Sequence, residues 1–132
     1  MRRGLQVVVT VLGIVAVAAG AHTVLIGGDS VLNHGDVSAG VDSELRFYAA
    51  WYVVAGALLL RAVRRIESEA LIVRAVGAAF FIAGSARLLS LVTVGTPHAF
   101  ALVLMVLEFV IPVVIVPWQA AVARSASAHE QR

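Results

Sequence analysis

Three ionisable residues, His22, Arg87 and Glu108, lie inside long apolar runs of the chain. A charge in hydrocarbon is costly, so such residues face a bundle interior or a polar cavity, pair with one another, and mark ion, proton or ligand sites. Glu44 and Arg46 stand at the start of a further run. Pro112 follows Glu108 by four residues and has no N–H, so it cannot bond the Glu108 carbonyl. A carboxylate and a freed carbonyl then share one residue, and carbonyls freed in this way bind cations, water or a neighbouring side chain. His22, Glu44, Arg46, Arg87 and Glu108 are therefore taken as a candidate polar cluster, with Pro112 as a helix kink beside it.

Other chemistry finds little support. There is no cysteine, which excludes disulfides, thiolate catalysis and Cys-based zinc sites. His34, Asp36 and His98 lack the tight spacing of metal ligands. Ser85 and Ser90 lack the elbow and base of a nucleophile. No catalytic residue, metal or cofactor is assigned. All ten basic residues are Arg, and they punctuate apolar runs instead of forming a basic stretch with interleaved aromatics, so nucleic acid is not an expected partner.

The elements that must position the cluster follow from the apolar excess. The 132 residues are 61% hydrophobic and only 14% charged, with a mean hydropathy of +0.95. A soluble domain carries about 25% charged residues. Four runs approach the roughly 20 apolar residues that a helix needs to cross a bilayer core. They are Leu5–Ile26, Leu45–Val63, Leu71–Val94 and Phe100–Val122. The fold expected is all-α: an integral membrane, antiparallel four-helix bundle forming a single domain over residues 1–132. Small residues suit close helix packing: Gly13, Ala16 and Gly20 in the first run, Ala49, Ala50, Gly56 and Ala57 in the second, Gly77 and Gly84 in the third. Met1-Arg2-Arg3 and Ala19-Gly20-Ala21 resemble a cleavable signal peptide, but the apolar run continues through Ile26, and an uncleaved span is expected.

Arg2, Arg3, Arg61, Arg64, Arg65, Arg74, Arg124 and Arg132 fall on one side of this bundle, so the positive-inside rule places both termini in the cytoplasm. Tyr48, Trp51 and Tyr52 near the outer side, and Trp118 near the inner, suit interfacial anchoring. At 1.5 Å per residue, His22, Arg87 and Glu108 lie about 6, 10 and 12 Å below the outer helix ends. The expected ion pair is Arg87 with Glu108, Arg46 competing for Glu108 and Glu44 for Arg87. Asp42 and Ser43 read as the N-cap of the second helix, with Glu44 in its first turn. The tail from Arg124 reads as frayed.

Asp42-Ser43-Glu44-Leu45-Arg46-Phe47-Tyr48, then Gly84-Ser85-Ala86-Arg87-Leu88-Leu89-Ser90, then Gly95-Thr96-Pro97-His98 followed by Glu108, resemble the DUF4345 family of small four-span bacterial membrane proteins. The resemblance implies that Glu44, Arg46, Arg87, Pro97 and Glu108 recur in that family, and it implies no substrate and no reaction. The functional expectation is a multi-pass protein of the cell membrane that binds a small molecule, lipid or partner at the outer cluster, with the lipid bilayer as its surroundings and oligomers allowed. The alternative is a small proton-coupled transporter using Glu108; matching broken helices, which would favour it, are not seen. Single cysteines at Ser38, Ser68 and Ser127 test the topology by thiol labelling. Ser38→Cys should react from outside and the other two from the cytoplasm. Reaction of the first two from one side would overturn the bundle.

Overall fold

The structure is a computed structural model that describes residues 1–32 and 35–130, with side chains through residue 128. His34 and Arg132, named above, lie outside the described residues. Four α-helices follow in order: α1 (Arg2–Ile26), α2 (Ala39–Ala62), α3 (Ala70–Thr93) and α4 (Ala99–Glu130). Short 3₁₀ turns at Gly27–Ser30 and Val63–Arg65 follow α1 and α2. No strand occurs among the described residues.

All four helices are long and apolar enough to cross a membrane. Their outer surface is apolar as well as their core, unlike that of a water-soluble bundle. On α4 the buried stripe is Glu108, Pro112, Ile115, Gln119 and Val122, alternating steps of four and three residues. On α1 it is Leu5, Val9, Gly13, Ala16 and Gly20. Aliphatic side chains are turned inward together with small residues and two polar ones, Glu108 and Gln119, while Ile14, Trp51, Ile82, Leu89, Val103 and Val113 stand exposed. Only 17% to 22% of the residues in each span are buried, which leaves an apolar exterior far larger than a protein in water tolerates. The chain is a multi-pass membrane protein.

Contacts gather the chain into two compact units, Val7–Arg64 and Met1–Gln6 with Arg65–Arg132. The first holds an α1–α2 hairpin whose backbones touch. A Cβ added at Gly56 would lie 2.6 Å from the Gly13 carbonyl oxygen and 2.8 Å from the Val17 nitrogen. One added at Gly20 would lie 2.7 Å from the Ala49 carbonyl oxygen. Moving up α1 from Gly13 to Gly20 moves down α2 from Gly56 to Ala49, so the pair is antiparallel. Glycine here removes the atom that would hold the backbones apart.

The second unit holds an α3–α4 hairpin built by the same rule. Gly77 faces Pro112 and Val116, and Gly84 faces Glu108 and Phe109. The Phe81 and Phe109 rings meet edge to face at 5.1 Å. The first turn of α1 belongs to this unit: Gly4 lies against the Trp118 ring, and Arg2 pairs with Glu67 at 3.1 Å.

Two boundaries differ from expectation. Helix α2 is capped by Ser38, whose hydroxyl accepts from the Val41 N–H at 3.4 Å, not by Asp42 or Ser43. Ser38 sits in extended backbone, the geometry an N-cap needs, and Asp42 is already inside the first turn. Helix α4 continues to Glu130 instead of fraying at Arg124. The segment alternates Ala, the best helix former, with Ser125 and Ser127, whose hydroxyls bond the carbonyls of Ala121 and Ala123 at 3.0 and 3.2 Å. Finally, α4 contains Pro117 as well as Pro112 and stays helical through both. Each proline removes one ladder bond, a loss that packed membrane helices absorb.

Gly56→Leu should separate the α1–α2 hairpin and cost about 1–3 kcal/mol by overpacking, read as a lower midpoint of thermal unfolding in detergent. Gly40→Ala would meet only the Ser38 hydroxyl at 4.0 Å, an ordinary contact, and should stabilise slightly. Equal behaviour of the two variants would show that the glycine contact does not matter.

Candidate functional site

Residue type and helical spacing together build the polar centre of the α3–α4 hairpin. Gly84 and Arg87 are three apart and share a face of α3. Gly84 allows α4 to approach until its position nearly touches the Glu108 side chain, with a hypothetical Cβ 3.2 Å from Glu108 Cβ. One turn on, Arg87 Nε donates to Glu108 Oε2 at 2.9 Å and to Oε1 at 3.1 Å. The carboxylate is enclosed, its side chain 5% exposed, while the arginine side chain is 36% exposed. Pro112 follows one turn down the same face of α4 and packs on Gly77. The buried anion, its cation, the proline and the two glycines form one local structure. The ion pair expected between Arg87 and Glu108 is present.

Arg46 has a different occupation. Its Nε donates to Asp42 Oδ2 at 2.7 Å, four residues earlier on α2. Its Nη1 donates to the carbonyls of Val24 and Leu25 at 2.7 and 3.1 Å. These carbonyls end α1, where the helix dipole is negative and a cation is favoured. Asp42 Oδ1 accepts the Gly28 N–H at 2.8 Å. The turn between them needs glycine: Gly27 has φ of +69°, and a Cβ there would collide with the Asp42 carboxylate and the Arg46 guanidinium. Asp42 and Arg46 therefore latch the start of α2 to the end of α1. The partner of Arg46 is Asp42, not Glu108 as the competing expectation had it. The signal in the sequence was the four-residue Asp-to-Arg spacing, which sets the two side chains on one helix face.

The remaining expected members lie elsewhere. His22 is exposed on α1 and takes no part in the Arg46 hydrogen bonds. Glu44 is exposed on α2, two residues from Arg46 and so on a different face. His98 accepts the Phe100 N–H at its Nδ1, 3.2 Å away, and so caps α4. No group of three or more metal-type ligands occurs among the described residues.

One buried polar residue escaped the sequence reading. Gln119 is fully buried on the same stripe of α4 as Glu108, and its Nε2 donates to the Ile66 carbonyl at 3.0 Å and to the Glu67 carbonyl at 3.4 Å. It ties α4 to the turn before α3. Its Oε1 is buried without a hydrogen-bond partner. An uncharged amide among apolar neighbours carries no spacing signal, so only packing reveals it.

A family model described as "Domain of unknown function (DUF4345)" matches residues 4–119. The chain belongs to the DUF4345 family. The match takes in the Asp42–Arg46 latch, the Arg87–Glu108 pair and Gln119, and ends before the last turns of α4. No curated protein and no solved structure matches the chain. In this DUF4345 member the Asp42–Arg46 and Arg87–Glu108 pairs thus sit inside the matched region, one in each hairpin.

Glu108→Arg should sharply reduce the folded fraction in membranes, because it sets two cations together at a buried position. Losing one partner of a buried pair costs about 3–5 kcal/mol. Adding Arg87→Glu should restore part of the loss, measured as monodisperse protein recovered from membranes. No rescue would disprove the pairing.

Proposed function

We propose that this protein of the cell membrane, with both termini cytoplasmic, binds the anionic group of a lipid or small amphiphile through Arg87, with Glu108 as the fixed counter-charge. The unequal exposure of the pair carries this reading: Glu108 is enclosed while over a third of the Arg87 side chain remains open. A guanidinium holds five N–H donors in a planar fork that matches carboxylate and phosphate. Arg87 lies about 9 Å of helix rise from the end of α3, and long basic side chains reach along a helix toward headgroups. Glu108 orients the guanidinium and makes the empty site neutral overall, which lowers the cost of keeping a cation in the span.

The test is native mass spectrometry of the detergent-solubilised protein with two probes, phosphatidylglycerol and dodecyl phosphate. Wild type should retain one or both, which also separates a lipid from a small amphiphile. The double variant Arg87→Gln/Glu108→Gln removes both charges, so no lone charge is stranded, and should retain several-fold less at a similar unfolding midpoint. Equal retention would refute the proposal. The transporter alternative rests on the burial of Glu108 and on Pro112 one turn away. Proton flux in liposomes decides it: flux equal in wild type and Glu108→Gln ends that reading.

A further inference from the structure

A second polar feature lies on the outward face of α2. Glu44, Phe47, Tyr48 and Trp51 are spaced by three, one and three residues, the spacing of one helical stripe. All four are exposed, the three aromatics by 56%, 59% and 61%. The rings brace one another: Phe47 meets Tyr48 edge-on at 5.4 Å, with 65° between the planes, and Trp51 at 6.3 Å, with 87°. Edge-to-face rings do not stack on one another, and all three residues stay more than half exposed. The electron-rich face of an aromatic ring attracts a cation, Trp most strongly.

The charge beside them is of the matching sign. No hydrogen bond or ion pair among the described residues engages the Glu44 carboxylate. Arg46 is turned away from it, held by Asp42 and the end of α1. From Glu44 to Trp51 the stripe rises about 10 Å, with the carboxylate toward the polar end of the span and the rings toward its apolar part. Apolar anchoring alone would explain the rings but not a carboxylate left in line with them.

We propose that Glu44, Phe47, Tyr48 and Trp51 form a docking site for the ammonium headgroup of an aminophospholipid. The ammonium sits over the ring faces with Glu44 as its counter-charge, and the acyl chains run along the exposed apolar side of α2, past Val54 and Leu58. The ligand charge this site favours is opposite to the one Arg87 favours.

The probe is phosphatidylethanolamine added to the detergent-solubilised protein, with phosphatidylglycerol as the comparison, and bound lipid counted by native mass spectrometry. Trp51→Leu keeps an apolar side chain but removes the ring face; Glu44→Gln removes the charge but keeps the shape. Each should weaken phosphatidylethanolamine retention about fivefold and leave phosphatidylglycerol retention as in wild type. Trp51→Phe should recover part of the loss. Both substituted positions are exposed, so unfolding midpoints should match wild type and act as the folding control. Unchanged phosphatidylethanolamine retention would overturn the proposal. Equal loss of both lipids would also overturn it, because it would mark a plain interfacial anchor. The Arg87 proposal fails on a different readout, phosphatidylglycerol in the double variant, so the two stand or fall separately.

Discussion

A carboxylate enclosed away from water needs a partner fixed against it, and in the α3–α4 hairpin that requirement governs the neighbouring residues. Glu108 is enclosed on the inward stripe of α4, and Arg87 reaches it from α3. The pair can form because Gly84, one turn before Arg87, has no side chain to hold the helices apart. Gly77 does the same two turns earlier, where Pro112 and Val116 press against it. Desolvating both charges costs several kcal/mol each, so such a pair is weak evidence for added stability. It is better understood as fixing the register: a slide of one helix along the other would strand the carboxylate.

The α1–α2 hairpin meets a related demand by other means. A helix ends with four carbonyls that lack partners. Arg46 answers two of them from the neighbouring helix, and Asp42 holds Arg46 in place while taking the N–H of Gly28. The charges here close a turn instead of bridging two spans. Gln119 plays a comparable part near the opposite end of the chain, donating to the carbonyls at Ile66 and Glu67. Across the structure, polar side chains attach to loose backbone ends or to one another, while Ile, Leu, Val and Phe cover the outside.

The five residues first grouped as one polar cluster do different jobs. Arg87 and Glu108 are a buried pair, Arg46 is a helix latch, His22 is exposed, and Glu44 stands with an aromatic stripe. Residue type and depth along a helix suggested the grouping, but neither says which way a side chain points around the axis. The Asp42–Arg46 latch was open to inspection through its four-residue spacing, and the cap at Ser38 through the usual preference for serine. The neutral Gln119 and the tolerated Pro117 had no such signal, since their neighbours in sequence are those of any apolar helix.

The sequence by itself determined the class of the fold. Four apolar runs must fold as helices, because hydrocarbon offers the backbone no hydrogen-bond partners outside the chain. It also determined that charges inside those runs need partners, and it carried the family resemblance. Tertiary structure decided the partners. In an apolar helix hydropathy alone does not separate inside from outside; the spacing of small residues marked candidate packing faces but not which partner each would meet. The close approach of the helices, backbone to backbone at Gly13, Gly20 and Gly56 and against α4 side chains at Gly77 and Gly84, set the inward faces. That rotation put Glu108 under Arg87, Arg46 on the end of α1, and the ring faces beside Glu44 toward the surroundings.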